Sequence, residues 1–186
     1  KMSNAPYSGI IRDHVGYVSL TTFTQDAGKN IADAIKTMKK EDPLLKGVIL
    51  DLRDNGGGLL MEAINIVNIF VPNGVEVVST RGKVRDWDKT FTTQRPALDE
   101  TLPVVVLINK HSASASEIVS GAIQDLDRGV IIGQRSYGKG LVQNTKDIGF
   151  NSKLKLTTSK YYIPSGRCIQ SVSYRNGEPL DVPDNE

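Results

Sequence analysis

The chain has 186 residues, is 39% hydrophobic and 24% charged, and carries a formal net charge of +2. That length suits one domain burying roughly 70% of its unfolded surface, and the evenly mixed charge gives no reason to expect nucleic acid or an anionic membrane. The single cysteine, Cys168, excludes an intrachain disulfide, and no apolar run approaches the ~18 residues that cross a bilayer. No signal segment is visible, and the opening Lys1-Met2 reads as part of something longer.

Strand patterning comes first, at Ile10–Ile11 and Gly16–Leu20. From Asp26, an expected N-cap, the spacing turns helical, with Ala27, Ile31, Ala34, Ile35 and Met38 on one face and Pro43 as the stop. Gly47 to Leu52 is a short apolar run between turn residues, as in a strand buried on both faces. Leu59 to Phe70 is again helical, Val75 to Ser79 a strand, and 80–100 a polar, exposed excursion. Val104 to Asn109 predicts a strand and Ala115 to Leu126 a helix with Ile118, Val119, Ala122 and Ile123 inward. Val130 to Ile132 is another strand, and beyond Gly140 the chain is strand-rich, with Lys153 to Ile163 alternating.

Strands alternating with helices predict an α/β fold with a mostly parallel central sheet. Ligands of such sheets gather at the carboxyl ends of strands. Three unusual segments fall there: Asp51-Leu52-Arg53-Asp54-Asn55-Gly56-Gly57-Gly58, His111 to Glu117, and Ser136-Tyr137-Gly138-Lys139-Gly140.

Each segment has a plain and a chemical reading. One of Ser112, Ser114 and Ser116 could simply cap the helix that follows. A serine at a strand-to-helix turn is also well placed as a nucleophile, with helix amides ready for an oxyanion. Such a serine needs a base. His14 lies early in the chain, in what looks like a turn, and His111 is too near Ser114 in sequence to be aimed at its hydroxyl. A lysine serves only if burial or positive neighbours bring its pKa to about 7–8. Lys139, between glycines, is either that base or a solvated loop residue. Gly133 to Lys139 also has phosphate-loop spacing, with Val48 to Asp51 resembling a Walker B strand. Gly140, however, stands where that motif needs Ser or Thr. The glycine triplet is either a flexible turn or an unobstructed amide for an anion, with Asp51 and Arg53 paired to brace it.

Taken together, these segments resemble the carboxyl-terminal processing peptidases, or tail-specific proteases. The likeness rests on Asp51 to Gly58, Ser112 to Glu117, Gly133 to Gly140 with Gln143, and Tyr161 to Arg167 with Ile169-Gln170, in order between about Gly16 and Gln170. It implies a ClpP/crotonase-like core of repeated ββα units. It also implies Ser114 as nucleophile, Lys139 as general base 25 residues on, and Gln143 orienting the lysine. The Gly58 and Ala115 amides become the oxyanion hole, with Gly57 the alternative to Gly58. Ser112 and Ser116 become structural, and Glu117 braces the loop.

On this resemblance the chain is a single peptidase core, 1–186, with a polar tail from 171 and no PDZ domain, since only about fifteen residues precede the first matched strand. It calls for no cofactor or metal. Its partners are proteins or peptides that are unfolded or have accessible carboxyl termini, and it admits a homo-oligomer. The implied location is a bacterial periplasm or cell envelope. The expected chemistry is Ser–Lys endoproteolysis through an acyl-enzyme, with Lys139 kept neutral by partial burial. Two rivals share the fold: a non-catalytic binding module and a crotonase-like acyl-CoA enzyme.

Overall fold

The computed structural model describes residues 4–175 and 178–180. Its central sheet has the order β1-β2-β3-β6-β7, formed by Tyr7–Ile10, Val15–Ser19, Gly47–Asp51, Val104–Ile108 and Val130–Gly133. β1 is antiparallel to β2 and every other pair is parallel. In the middle strands Val48, Leu50, Val104 and Val106 are buried, whereas Ile49, Val105 and Leu107, alternating onto the opposite face, are only half-buried, so the expected burial on both faces is complete on one.

Three helices, α1 (Ala27–Glu41), α2 (Leu60–Phe70) and α3 (Ala115–Asp125), lie side by side in one layer. β1, β2 and α1 form one ββα unit, and α2 and α3 each follow a strand of the same sheet. Ile31, Ile35 and Met38 of α1, Ile66 and Val67 of α2, and Ile118, Val119 and Ile123 of α3 are all at most 2% exposed. Burying each such side chain stabilises the fold by about 1.5–3 kcal/mol, which outweighs any single helix cap.

The start of α1 departs from expectation. Asp26 adopts a left-handed conformation (φ 66°) and its side chain caps nothing. The carboxylate of Glu62, from α2, takes the work instead, accepting the amides of Asp26 (3.2 Å) and Gly28 (2.8 Å). A carboxylate beside exposed helix amides is favourable whichever element supplies it.

A second, wholly antiparallel sheet has the order β5-β4-β9-β8, from Lys89–Thr92, Glu76–Gly82, Ser152–Tyr162 and Leu141–Gly149. The polar stretch read as an excursion thus contributes β5, which pairs with β4 from Thr92 to Lys89. Past residue 170, Ser173–Arg175 and Glu178–Leu180 form a short antiparallel pair, β10 and β11. Among the described residues no helix is long and apolar enough to cross a membrane.

Candidate active site

β3, β6 and β7 are parallel neighbours, so the loops leaving their carboxyl ends share one edge of the sheet. These are the three segments singled out in the sequence. The edge is tied together by buried polar groups. Asn55, 0% exposed, donates through Nδ2 to the Leu20 carbonyl (2.7 Å) and accepts the Gly57 amide at Oδ1 (2.9 Å). Its own carbonyl accepts the Ala113 amide (3.0 Å) and the Ser116 hydroxyl (2.8 Å). Ser112 Oγ donates to the Leu52 carbonyl (2.8 Å) and accepts the Asn109 amide (2.9 Å). Ser112 and Ser116, both fully buried, are therefore ties between loops.

Asp51 and Arg53 pair as expected, Arg53 Nη2 lying 2.6 Å and Nε 3.0 Å from the carboxylate. The Tyr17 hydroxyl donates to the same group at 2.5 Å. Burial pushes the Asp51 carboxyl up, but Arg53 and Tyr17 outweigh it and hold it below its ordinary value. The phenol responds in the opposite sense, raised by burial and then by the carboxylate.

Ser114 stands at the head of α3 with φ 56° and ψ −113°, away from the extended conformation usual before a helix. Such a backbone persists only where its surroundings impose it. Gly57 is one reason: a Cβ there would lie 2.8 Å from Ser114 Cβ and 2.9 Å from the Ala115 nitrogen. The amides nearby differ in availability. Gly57 is buried and its N–H is spent on Asn55, whereas Gly58 is exposed. The parallel bridge between Phe23 and Gly58 is made by the Phe23 N–H to the Gly57 carbonyl (3.1 Å) and the Leu59 N–H to the Phe23 carbonyl (2.8 Å). Gly58's own N–H therefore points away from Phe23 and, like that of Ala115, donates to no group among the described residues.

Lys139 is carried to this edge by its backbone. Glu117, 5% exposed in the first turn of α3, accepts the amides of Ser114 (2.7 Å) and Lys139 (2.8 Å) on Oε2. On Oε1 it accepts the Gly138 amide (2.6 Å) and the Ser136 hydroxyl (2.7 Å). The Tyr137 amide donates to the Ser112 carbonyl (3.0 Å), and Gln170 Oε1 accepts the Gly140 amide (2.8 Å). The Lys139 side chain, in contrast, is exposed rather than partly buried. Among the described residues its amine makes no hydrogen bond to Ser114. Gln143 is exposed on β8, beside a register irregularity, and its side chain has no hydrogen-bond partner among the described residues. The structure brings together the turns of Ser114, Ala115, Gly58 and Lys139, with Gln143 four residues after Lys139 in β8.

The histidines go elsewhere. His14 Nδ1 lies 2.6 Å from Asp42, at the opposite, amino-terminal end of β2. His111 is on the site's edge, but its Nδ1 faces Asp54 at 2.8 Å. Hydrogen bonds from Asn109 and then His111 lower the Asp54 carboxyl below its ordinary value. Lys139 is followed by strand β8 and not by a helix, so no helix amino terminus is there to receive a nucleotide phosphate. Asn55, Tyr17 and the full reach of Glu117 are not readable from composition or spacing. The one sequence hint is Glu117's place three residues after Ser114, the spacing of a capping box.

The profile of Peptidase family S41 matches residues 14–175. A carboxy-terminal-processing protease of Bartonella bacilliformis is 44% identical over 87% of this chain and 38% of its own length. Carboxyl-terminal-processing peptidase 2, chloroplastic, of Arabidopsis thaliana is 36% identical over 97% of this chain and 34% of its own. Among solved structures, a photosystem II D1 C-terminal processing protease superposes with a TM-score of 0.76 at 31% identity, over 90% of this chain and 44% of that one. The chain thus spans less than half the length of each of these relatives. The fold is the ClpP/crotonase-like α/β core.

Proposed function

Because the chain belongs to peptidase family S41, we propose that it is the catalytic core of a serine endopeptidase working through Ser114 and Lys139. The observation that carries this reading is Ser114, held at φ 56° at the head of α3 beside two amides, Gly58 and Ala115, that have no other partner among the described residues. Unspent donors next to a nucleophile are the arrangement an acyl transfer needs.

The neutral Lys139 amine takes the proton from Ser114 Oγ as the oxygen bonds to a peptide carbonyl carbon. The negative charge that develops on the carbonyl oxygen is met by the N–H groups of Gly58 and Ala115. The lysine ammonium then gives its proton to the leaving nitrogen as the C–N bond breaks. Water attacks the remaining ester, the same amine acting again as base, and Ser114 is restored. Lys139 is exposed here, so substrate lying over the edge supplies the water exclusion that general-base work requires, and Gln143 turns in to orient the amine at that stage. Apo geometry of this kind commonly tightens only around substrate. The relatives' names point to substrates cut near their carboxyl termini, and the reading extends to a location in a bacterial periplasm or cell envelope, as the bacterial relative suggests.

Hydrolysis of an unfolded protein by the parent, Ser114→Ala and Lys139→Ala tests the assignment, with both variants expected to be inactive. Lys139→Arg is inactive as well, since a guanidinium keeps its proton. Equal turnover by all of them would end the proposal. A serine-reactive phosphonate labels Ser114 if this reading holds, whereas saturable CoA binding without labelling favours the acyl-CoA rival.

A further inference from the structure

We propose that Glu117 is a positioning residue for the reaction, the joint that holds the nucleophile's turn and the base's turn in register. The inference rests on the Ser114–Lys139 reading and adds to it the part that keeps the two halves aligned. Nothing in the sequence ties Ser114 to Lys139, which leave from different strands on different loops. In the fold, one carboxylate oxygen accepts the backbone N–H of both residues, at 2.7 and 2.8 Å. The other oxygen accepts the Gly138 amide at 2.6 Å and the Ser136 hydroxyl at 2.7 Å, fixing the turn that delivers Lys139.

The carboxylate is 5% exposed and no salt bridge reaches it among the described residues. Its charge is balanced instead by three amides, a hydroxyl and the amino-terminal end of α3. A buried, charged group with all its bonds directed at two loops is more than the ordinary N3 half of a capping box, which reaches back only to its own cap. Four donors converging on two oxygens also leave no tolerance for an amide in place of the carboxylate. A glutamine keeps one oxygen, and its NH2 group must then face either the Ser114 and Lys139 amides or the Gly138 amide and Ser136.

The role is read from Glu117→Gln in the intact protein, with kcat and KM for a peptide substrate and the rate at which a phosphonate labels Ser114. The expected result is a kcat lower by roughly 100-fold, the scale of a small misplacement of reacting groups. KM stays within about threefold of the parent, and labelling slows in parallel with kcat. A residue that merely holds the fold would lower Tm without slowing labelling well below the melting transition. Parental kcat and labelling in a folded Glu117→Gln would overturn the proposal while leaving the dyad intact. A Ser114→Ala protein that still hydrolyses substrate would overturn the dyad itself. Should Glu117→Gln fail to fold, Ser136→Ala decides: it removes one of the four bonds, and kcat unchanged in that variant is equally fatal.

Discussion

At Gly56, Gly57 and Gly58 a single added methyl group meets three different surroundings, so alanine substitution separates the roles of adjacent residues. At Gly56 it would meet nothing within 4 Å. At Gly57, where φ is 98°, it would lie 2.7 Å from the Ala113 carbonyl and 2.8 Å from Ser114 Cβ. At Gly58, with φ 149°, it would lie 2.4 Å from the Phe23 carbonyl oxygen, the acceptor that anchors the bridge to Leu59. Both positions lie where L side chains strain the backbone. Gly56→Ala is therefore expected to keep parental kcat and Tm. On the proposed oxyanion role of Gly58, Gly58→Ala turns its amide out of line and loses about 100-fold in kcat, the loss typical of one missing donor. Gly57→Ala presses on the turn that carries Ser114 and lowers Tm together with kcat. Steady-state kinetics and thermal melts on the three proteins provide the check. If Gly57→Ala lowers kcat with Tm untouched while Gly58→Ala stays active, the oxyanion amide belongs to Gly57.

Between elements, the buried Asn55 side chain links the end of β2 to the glycine loop through Leu20 and Gly57. Asn55→Ala would strand the Leu20 carbonyl and the Gly57 N–H in a site that is 0% exposed. Each unsatisfied group costs about 1–3 kcal/mol, so urea unfolding should register a loss of about 2–6 kcal/mol, and an unchanged midpoint would show that water replaces the side chain. Why this residue was not legible in the sequence is instructive. Helices and core strands announce themselves by period, and Ile118, Val119, Ala122 and Ile123 of α3 pack inward as their spacing requires. The position of Ser114 at a strand-to-helix turn could be read in the same way. Asn55 and Glu117 act through bonds to loops distant in the chain, and no local pattern encodes a partner 35 or 22 residues away. The same limit explains β5, whose polar residues pair with β4 at a sheet edge where alternation is weakly enforced. It explains the cap of α1 as well, taken by Glu62 where local chemistry nominated Asp26.

For the whole molecule, the stretch 98–102 gathers the far ends of all three helices. The Leu98 and Asp99 amides donate to the Ile69 carbonyl near the end of α2. Arg128, just past α3, donates through Nε to the Phe70 carbonyl (2.7 Å) and through Nη2 to those of Asp99 (3.2 Å) and Leu102 (2.8 Å). The Lys39 ammonium, in the last turns of α1, bonds the Asp99 carboxylate, which also accepts the Thr101 and Leu102 amides at 2.7 and 2.8 Å. Burial alone would push the Asp99 carboxyl up, but Lys39 and the two amides overrule it and hold it well below the usual carboxylate range. A carboxyl lowered on folding stabilises the protein above its unfolded-state pKa of about 3.9, and that contribution drains away as pH falls further. Asp99→Asn keeps an oxygen for the amides but loses the charge that faces Lys39. Urea unfolding should therefore show the variant less stable than the parent by about 2 kcal/mol at pH 7. The gap should narrow steadily below about pH 4, as the carboxyl of the unfolded parent takes up its proton while the folded one stays charged. A gap of constant size from pH 7 to pH 3 would mean that the carboxylate's charge does not hold this junction, and that the hydrogen-bonded turn alone does.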